Sequence, residues 1–310
     1  DRLLQLTELD KRRAAILASL AERNLLTDEL KAKIDAAATM TELEDIYLPF
    51  RPKRRTRAMI AKEKGLEPLA VLLFAQELST DPRRESETFI DLEKGVESVE
   101  QALAGARDII AEWVTEDQTA RSRMRELYLV QGVMGARLIP GKETEGAKFR
   151  DYFEWHEPVA SAPSHRILAM RRGEKEEILS LEVAPPEEDA LTLLEQLFVK
   201  NNSNAAEQVR LAVRDSFKRL LSLSMETEIR LLMKDRADQE AIRVFADNLR
   251  QLLLASPLGE KRVLAIDPGF RTGCKTVCLD PQGTLLHTEN IYPHEPQKRT
   301  AEAAATIARL

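Results

Sequence analysis

The sequence predicts a mainly α chain: a multi-helix N-terminal region carrying a small α/β insert, followed by an α/β unit. Three observations carry this. Apolar residues recur at helical spacing behind capping signals through residues 1–131 and 187–257. Residues 132–186 instead break into short apolar runs around glycines at 135, 141, 146 and 173. From 258 to 310 strand-like runs and a hairpin signal replace the helical period until the last stretch. The expected domains are therefore 1–131, 132–186, 187–257 and 258–310.

Leu3, Leu6, Leu9, Ile16, Leu17 and Leu20 form the first stripe, and Thr27-Asp28-Glu29 opens a second helix with Leu30 and Ile34. Thr41 with Glu44 reads as a capping box for a short helix through Leu43, Ile46 and Tyr47, stopped by Pro49. Thr56 caps a helix through Met59 and Ile60 to Gly65. Residues 69–78 read as an apolar helix and residues 79–86 as a polar loop. Val96, Val99, Leu103, Ala106, Ile109, Ile110 and Trp113 make a clear stripe, continued by Met124, Leu127 and Tyr128. Arg121, Arg123 and Arg125 beside them read as a solvated face.

In the insert, Ser164 caps a helix through Ile167, Leu168 and Met170 that ends at Gly173, and residues 178–183 alternate like a strand. His156 and His165 have no Cys or His partners at metal-ligand spacing and read as hydrogen-bonding residues. Ser203 caps a long helix through Val209, Val213, Phe217, Leu221, Ile229 and Leu232, and a further helix runs through Ile242, Phe245, Leu249 and Leu253. Pro257-Leu258-Gly259 is a hinge.

The last unit starts with Val263-Leu264-Ala265-Ile266-Asp267, read as a short strand buried on both faces that delivers the Asp267 carboxylate to its end. A buried carboxylate needs a cation, a metal ion or backbone N–H partners. Two strands follow around Asp280-Pro281-Gln282-Gly283, a type I turn pattern, and a helix starts at Thr300. Gly269 and Gly273 enclose three residues rather than a Walker loop's four, a hairpin follows instead of a helix, and no dinucleotide fingerprint is present.

The densest positive charge is Arg51, Lys53, Arg54, Arg55 and Arg57. It falls on a connection and a helix start, where the helix dipole favours anions, and this fits a phosphate seated among the cations. A solvated loop paired with Glu42, Glu44 and Asp45 accounts for it equally well.

The chain has 310 residues and a formal net charge of -6, so nucleic-acid binding would need such a local patch. Charged residues make up 32% against 5% aromatic, and no stretch approaches the roughly 18 apolar residues of a membrane span. Cys274 and Cys278, about 13 Å apart on one strand, cannot bridge and read as reduced thiols, giving a cytoplasmic expectation. With no initiator Met and a final helix lacking a capping signal, the sequence reads as a piece of a longer protein.

Residues 44–56, Pro140-Gly141-Lys142-Glu143-Thr144-Glu145-Gly146-Ala147-Lys148-Phe149, Ala162-Pro163-Ser164-His165-Arg166 and Ile266-Asp267-Pro268-Gly269-Phe270-Arg271-Thr272-Gly273 together resemble the bacterial transcription accessory proteins of the Tex family. The resemblance implies a helical region, then a YqgF-like domain of the RNase H and resolvase fold, truncated here, with RNA-binding modules beyond it. It implies a nucleic-acid-binding transcription accessory factor whose partners are RNA or single-stranded DNA and the transcription machinery, with no membrane role. Asp267 matches the first metal-binding carboxylate of RNase H-like nucleases, which use two metal ions. The companion carboxylates would lie beyond Leu310, so no enzyme activity and no cofactor are expected here, and Mg2+ only in the intact protein. A second resemblance, to the first phosphate loop of actin-like ATPases, makes Gly269, Arg271, Thr272 and Gly273 phosphate-loop candidates. A structural role for Asp267, capping the loop, is the third reading.

Overall fold

The structure is a computed structural model that describes residues 2–53, 55–269 and 272–310. It forms two compact units, Asp1–Ile242 and Arg243–Leu310. In the first, α1 (Arg2–Glu22), α2 (Asp28–Ala36) and α3 (Met40–Tyr47) close around Leu9, Ile16, Leu20, Leu30, Ile34, Leu43 and Tyr47, an apolar cluster separate from the main core. Thr27 caps α2 as expected. The capping box of α3 is Thr39 with Glu42, not Thr41 with Glu44: Thr39 Oγ1 accepts from Glu42 N and Glu42 Oε2 accepts from Thr39 N, both at 3.2 Å. Glu44 is instead drawn to Arg12 on α1, with 2.5 Å between Oε1 and Nε.

The main core is built on α7. After α4 (Arg57–Glu63), α5 (Glu67–Ala75) and α6 (Pro82–Glu87), helix α7 (Val99–Glu116) buries Ala102, Leu103, Ala106, Ile109, Ile110 and Val114, and α8 (Gln118–Gln131) follows. Helix α6 replaces the expected polar loop. Asp81 accepts from Arg83 N at 3.0 Å and Pro82 fills the first helical position, a start signal that works without an apolar stripe. Gly105 lets α7 approach the α4–α5 connection, because a Cβ there would lie 2.3 Å from Leu66 Cδ1.

The insert is an antiparallel sheet of order β2-β1-β3, from β1 (Val133–Leu138), β2 (Glu154–Pro158) and β3 (Leu179–Ala184), with α9 (Ser164–Lys175) beside it. Helix α9 runs past Gly173, which is there because a Cβ would sit 2.6 Å from Leu179 Cδ1. Ser164 lies inside α9 and donates to Glu240 instead of capping.

Helices α10 (Glu187–Phe198) and α11 (Asn204–Ser216) lead through a π segment, Phe217–Leu221, into α12 (Ser222–Leu253), so the two helices expected after Ser203 are one continuous spine. The spine also closes the outer edge of the sheet: Val183 N donates to Glu226 Oε1 at 3.2 Å and Arg230 Nη1 to Leu181 O at 3.4 Å.

In the second unit, β4 (Val263–Asp267), β5 (Cys274–Leu279) and β6 (Leu285–Ile291) form an antiparallel sheet of order β4-β5-β6, followed by α13 (Thr300–Arg309). The turn is as expected, with Asp280 Oδ1 accepting from Gln282 N at 3.0 Å and Thr284 N at 2.7 Å. Strand β4 is not buried on both faces. Among the described residues it is an edge strand paired to β5 alone, Leu264 and Ile266 are each 46% exposed, and the unit's buried apolar cluster is Cys274, Ile291 and Ala303. Both cysteines are free thiols.

Candidate nucleic-acid interface

The basic stretch leaves a 3-10 turn, Leu48–Phe50, through an extended Arg51 and enters α4 through an extended Thr56. Thr56 caps that helix by accepting from Met59 N at 3.1 Å. Arg51 and Arg57 are exposed and, among the described residues, form no ion pair. Arg55 is exposed and meets Glu63 at 2.8 Å. Arg54 lies outside the described residues. Lys53 turns inward to α7, its ammonium 3.4 Å from Glu112 Oε2 and bonded to Glu116 Oε1. Burial raises the Glu116 carboxyl above its ordinary value, and the bond to Lys53 opposes that shift. Asp108 continues this acidic row one turn earlier, 3.1 Å from Arg219; burial holds its carboxyl above the ordinary value, with Arg219 opposing the shift and Asp215 adding to it.

The acids expected to neutralise the cluster are committed elsewhere. Asp45 is buried and accepts from Arg121 Nε at 2.6 Å and Arg125 Nη2 at 2.8 Å. Arg121 also reaches Glu228 at 3.1 Å and Ser224 Oγ at 3.0 Å, and Arg125 bonds Glu228 as well. Two guanidinium groups and two carboxylates thus alternate in a closed set that ties α3 and α8 to α12. Burial works against the charge of Arg125, and Glu228 and Asp45 more than offset it, holding the group above its ordinary value. Of the three arginines read as a solvated face, only Arg123 is exposed. The missed signal is their spacing: 121, 124, 125 and 128 share one helical stripe with the buried Met124 and Tyr128.

A second unforeseen contact is Gln76, buried in a left-handed conformation at the end of α5. Its Nε2 donates to Phe198 O and its Oε1 accepts from Lys200 N, both at 2.8 Å, which clamps the α10–α11 connection.

In the second unit, Asp267 ends β4 on an exposed position, and its side chain makes no hydrogen bond or ion pair among the described residues. Its cross-strand neighbour is Lys275, which stands on the same face of the sheet. Gly273 has φ +78°, and a Cβ there would meet Tyr292 at 2.6 Å; a Cβ on Gly269 would meet Thr272 Oγ1 at 2.5 Å. Thr272 is exposed, and Arg271 lies outside the described residues. Among the described residues, no group of three or more His, Cys, Asp or Glu side chains is placed to hold a metal ion, and His156 and His165 are both exposed. No helix of the described residues is long and apolar enough to cross a membrane.

Comparison with known proteins agrees with this architecture. Residues 77–245 match the family described as Tex central region-like, and residues 261–310 match the Tex protein YqgF-like domain. Protein YhgF of Escherichia coli is 42% identical across all of this chain and 41% of its own length. Transcriptional accessory protein Tex of Neisseria gonorrhoeae is 39% identical over the same shares. The human S1 RNA-binding domain-containing protein 1 is 27% identical over 90% of this chain and 29% of its own length. The chain spans about two fifths of the length of the bacterial relatives it matches. With the helical core, the inserted sheet and the YqgF-like unit all in that order, the chain belongs to the Tex family.

Proposed function

We propose that this chain is a non-enzymatic, nucleic-acid-binding part of a cytoplasmic transcription accessory factor. Its basic connection, residues 51–57, meets the phosphates of single-stranded RNA or DNA without reading sequence. The observation that carries this is the exposure of Arg51, Arg55 and Arg57 on a chain of net charge -6, with Glu44 and Asp45 already engaged by Arg12, Arg121 and Arg125 and, among the described residues, only Arg55 of the three paired, to the exposed Glu63. The names of the Neisseria and human relatives, which refer to transcription and to an RNA-binding domain, support the same partners.

In fluorescence anisotropy with a single-stranded RNA, Arg55→Ser/Arg57→Ser weakens binding to every sequence and lowers the salt slope by roughly 1.4, the loss of two phosphate contacts. Stability changes by no more than about 0.5 kcal/mol, since both side chains are exposed. An unchanged slope would sink the reading.

The chain is a scaffold and not a catalyst because Asp267 faces a lysine instead of a second carboxylate. A two-metal site needs several carboxylates to balance the cations' charge. Isothermal titration of the chain with Mg2+ is expected to show no saturable heat. Saturable binding that disappears in Asp267→Asn would reinstate the nuclease or ATPase alternative.

A further inference from the structure

We propose that Lys53, clamped by Glu112 and Glu116, is a positioning residue that holds the basic connection in place for a polyanion and does not itself contact one. The inference rests on the reading that residues 51–57 meet phosphates. Within the cluster Lys53 stands apart. Its side chain is 22% exposed and those of Glu112 and Glu116 are each 13% exposed, whereas the Arg55 side chain is 70% exposed. A phosphate could take Lys53 only by leaving two largely buried carboxylates without their cation, which is costly.

The clamp has a clear mechanical purpose. Glu112 and Glu116 are one turn apart on α7, so their charges repel unless a shared cation lies between them, and Lys53 supplies it. Residues 51–53 carry neither helix nor strand hydrogen bonding. Their fixed points are Arg51 N donating to Leu48 O at 3.3 Å, the stiff Pro52, and the Lys53 clamp. Helix α7 packs on α4, α5 and α11 in the main core, so a bond to it transfers the rigidity of the core to the connection. A connection fixed in advance loses less conformational freedom when it binds.

The proposal reverses a sign that simple electrostatics would give. Glu112→Gln/Glu116→Gln removes two negative charges beside the cluster, and charge alone would tighten polyanion binding. Positioning requires it to weaken. The test uses the full chain, a fluorescein-labelled 12-nucleotide oligouridine titrated across salt concentrations, and amide hydrogen exchange over residues 51–57.

For Glu112→Gln/Glu116→Gln the expected result is faster exchange in that segment and binding weaker by roughly three- to tenfold, with the salt slope unchanged. Lys53→Met is expected to do the same. Tighter binding in the Gln variant, unchanged exchange, or a slope lowered by about 0.7 in Lys53→Met would each overturn the proposal. If the double variant fails to fold, Glu116→Gln alone is read by the same criteria. Failure of the underlying reading looks different: Arg55→Ser/Arg57→Ser would leave oligouridine binding intact while the exchange measurement still reported on the clamp.

Discussion

Arg121→Met is expected to destabilise the first unit by about 3–5 kcal/mol, the usual cost of removing one partner from a buried ion pair. Asp45 keeps Arg125, but Arg125 must then serve two carboxylates, and the Asp45 side chain is only 10% exposed. The penalty is therefore an excess of buried negative charge more than the loss of any one bond. Arg121→Met/Asp45→Leu tests this directly. It leaves Arg125 and Glu228 as a balanced pair, so urea denaturation should find the double variant more stable than Arg121→Met alone. A double variant as unstable as the sum of the two single changes would mean that the bonds themselves, not charge balance, carry the stability.

Ile109→Ala should cost about 2–5 kcal/mol and Ile109→Val about 0.5–1.5 kcal/mol. Ile109 is fully buried on α7, and α4, α5 and α11 all pack on that helix. With neighbours on several sides, no single element can settle into the space that the shorter side chain leaves, which places the Ala variant toward the upper half of the range. The check is the ratio of the two effects in thermal and urea unfolding. Equal small losses would show that the core around α7 relaxes freely.

Much of the fold was legible because helical stripes and capping residues act locally. Leu9, Ile16 and Leu20, the Thr27 and Ser203 caps and the Asp280-Pro281-Gln282-Gly283 turn all depend on neighbours in sequence. What escaped depends on distant partners. Thr39 and Thr41 each precede a glutamate by three residues, and only Arg12, on another helix, decides which glutamate is free to cap. Strand β4 has the composition of a central strand, yet its burial is set by what lies beside it. The candidate interface was visible as a cluster of charges. Its counter-ions were not, because Glu112 and Glu116 reach Lys53 across the fold while the nearer Asp45 is taken by α8.

The α11–α12 spine has a geometric consequence for how this chain tolerates change. One row of its buried positions, Val209, Val213, Phe217, Leu221, Met225, Ile229, Met233 and Ala237, recurs every four residues, with Ala206, Ala212 and Ser216 buried beside it in α11. Four residues overshoot an α-helical turn by roughly 40°, so the inward face winds around the axis, and the π segment absorbs part of the drift. Successive turns thereby address different neighbours: α7 first, then the ionic set at Glu228, the sheet edge at Glu226 and Arg230, and α9 through Glu240. The spine behaves like a camshaft whose lobes are timed to separate followers. Replacing one lobe disturbs one follower, but adding or deleting a single residue shifts the phase of every lobe downstream by roughly 100°, so its length is constrained more tightly than its composition.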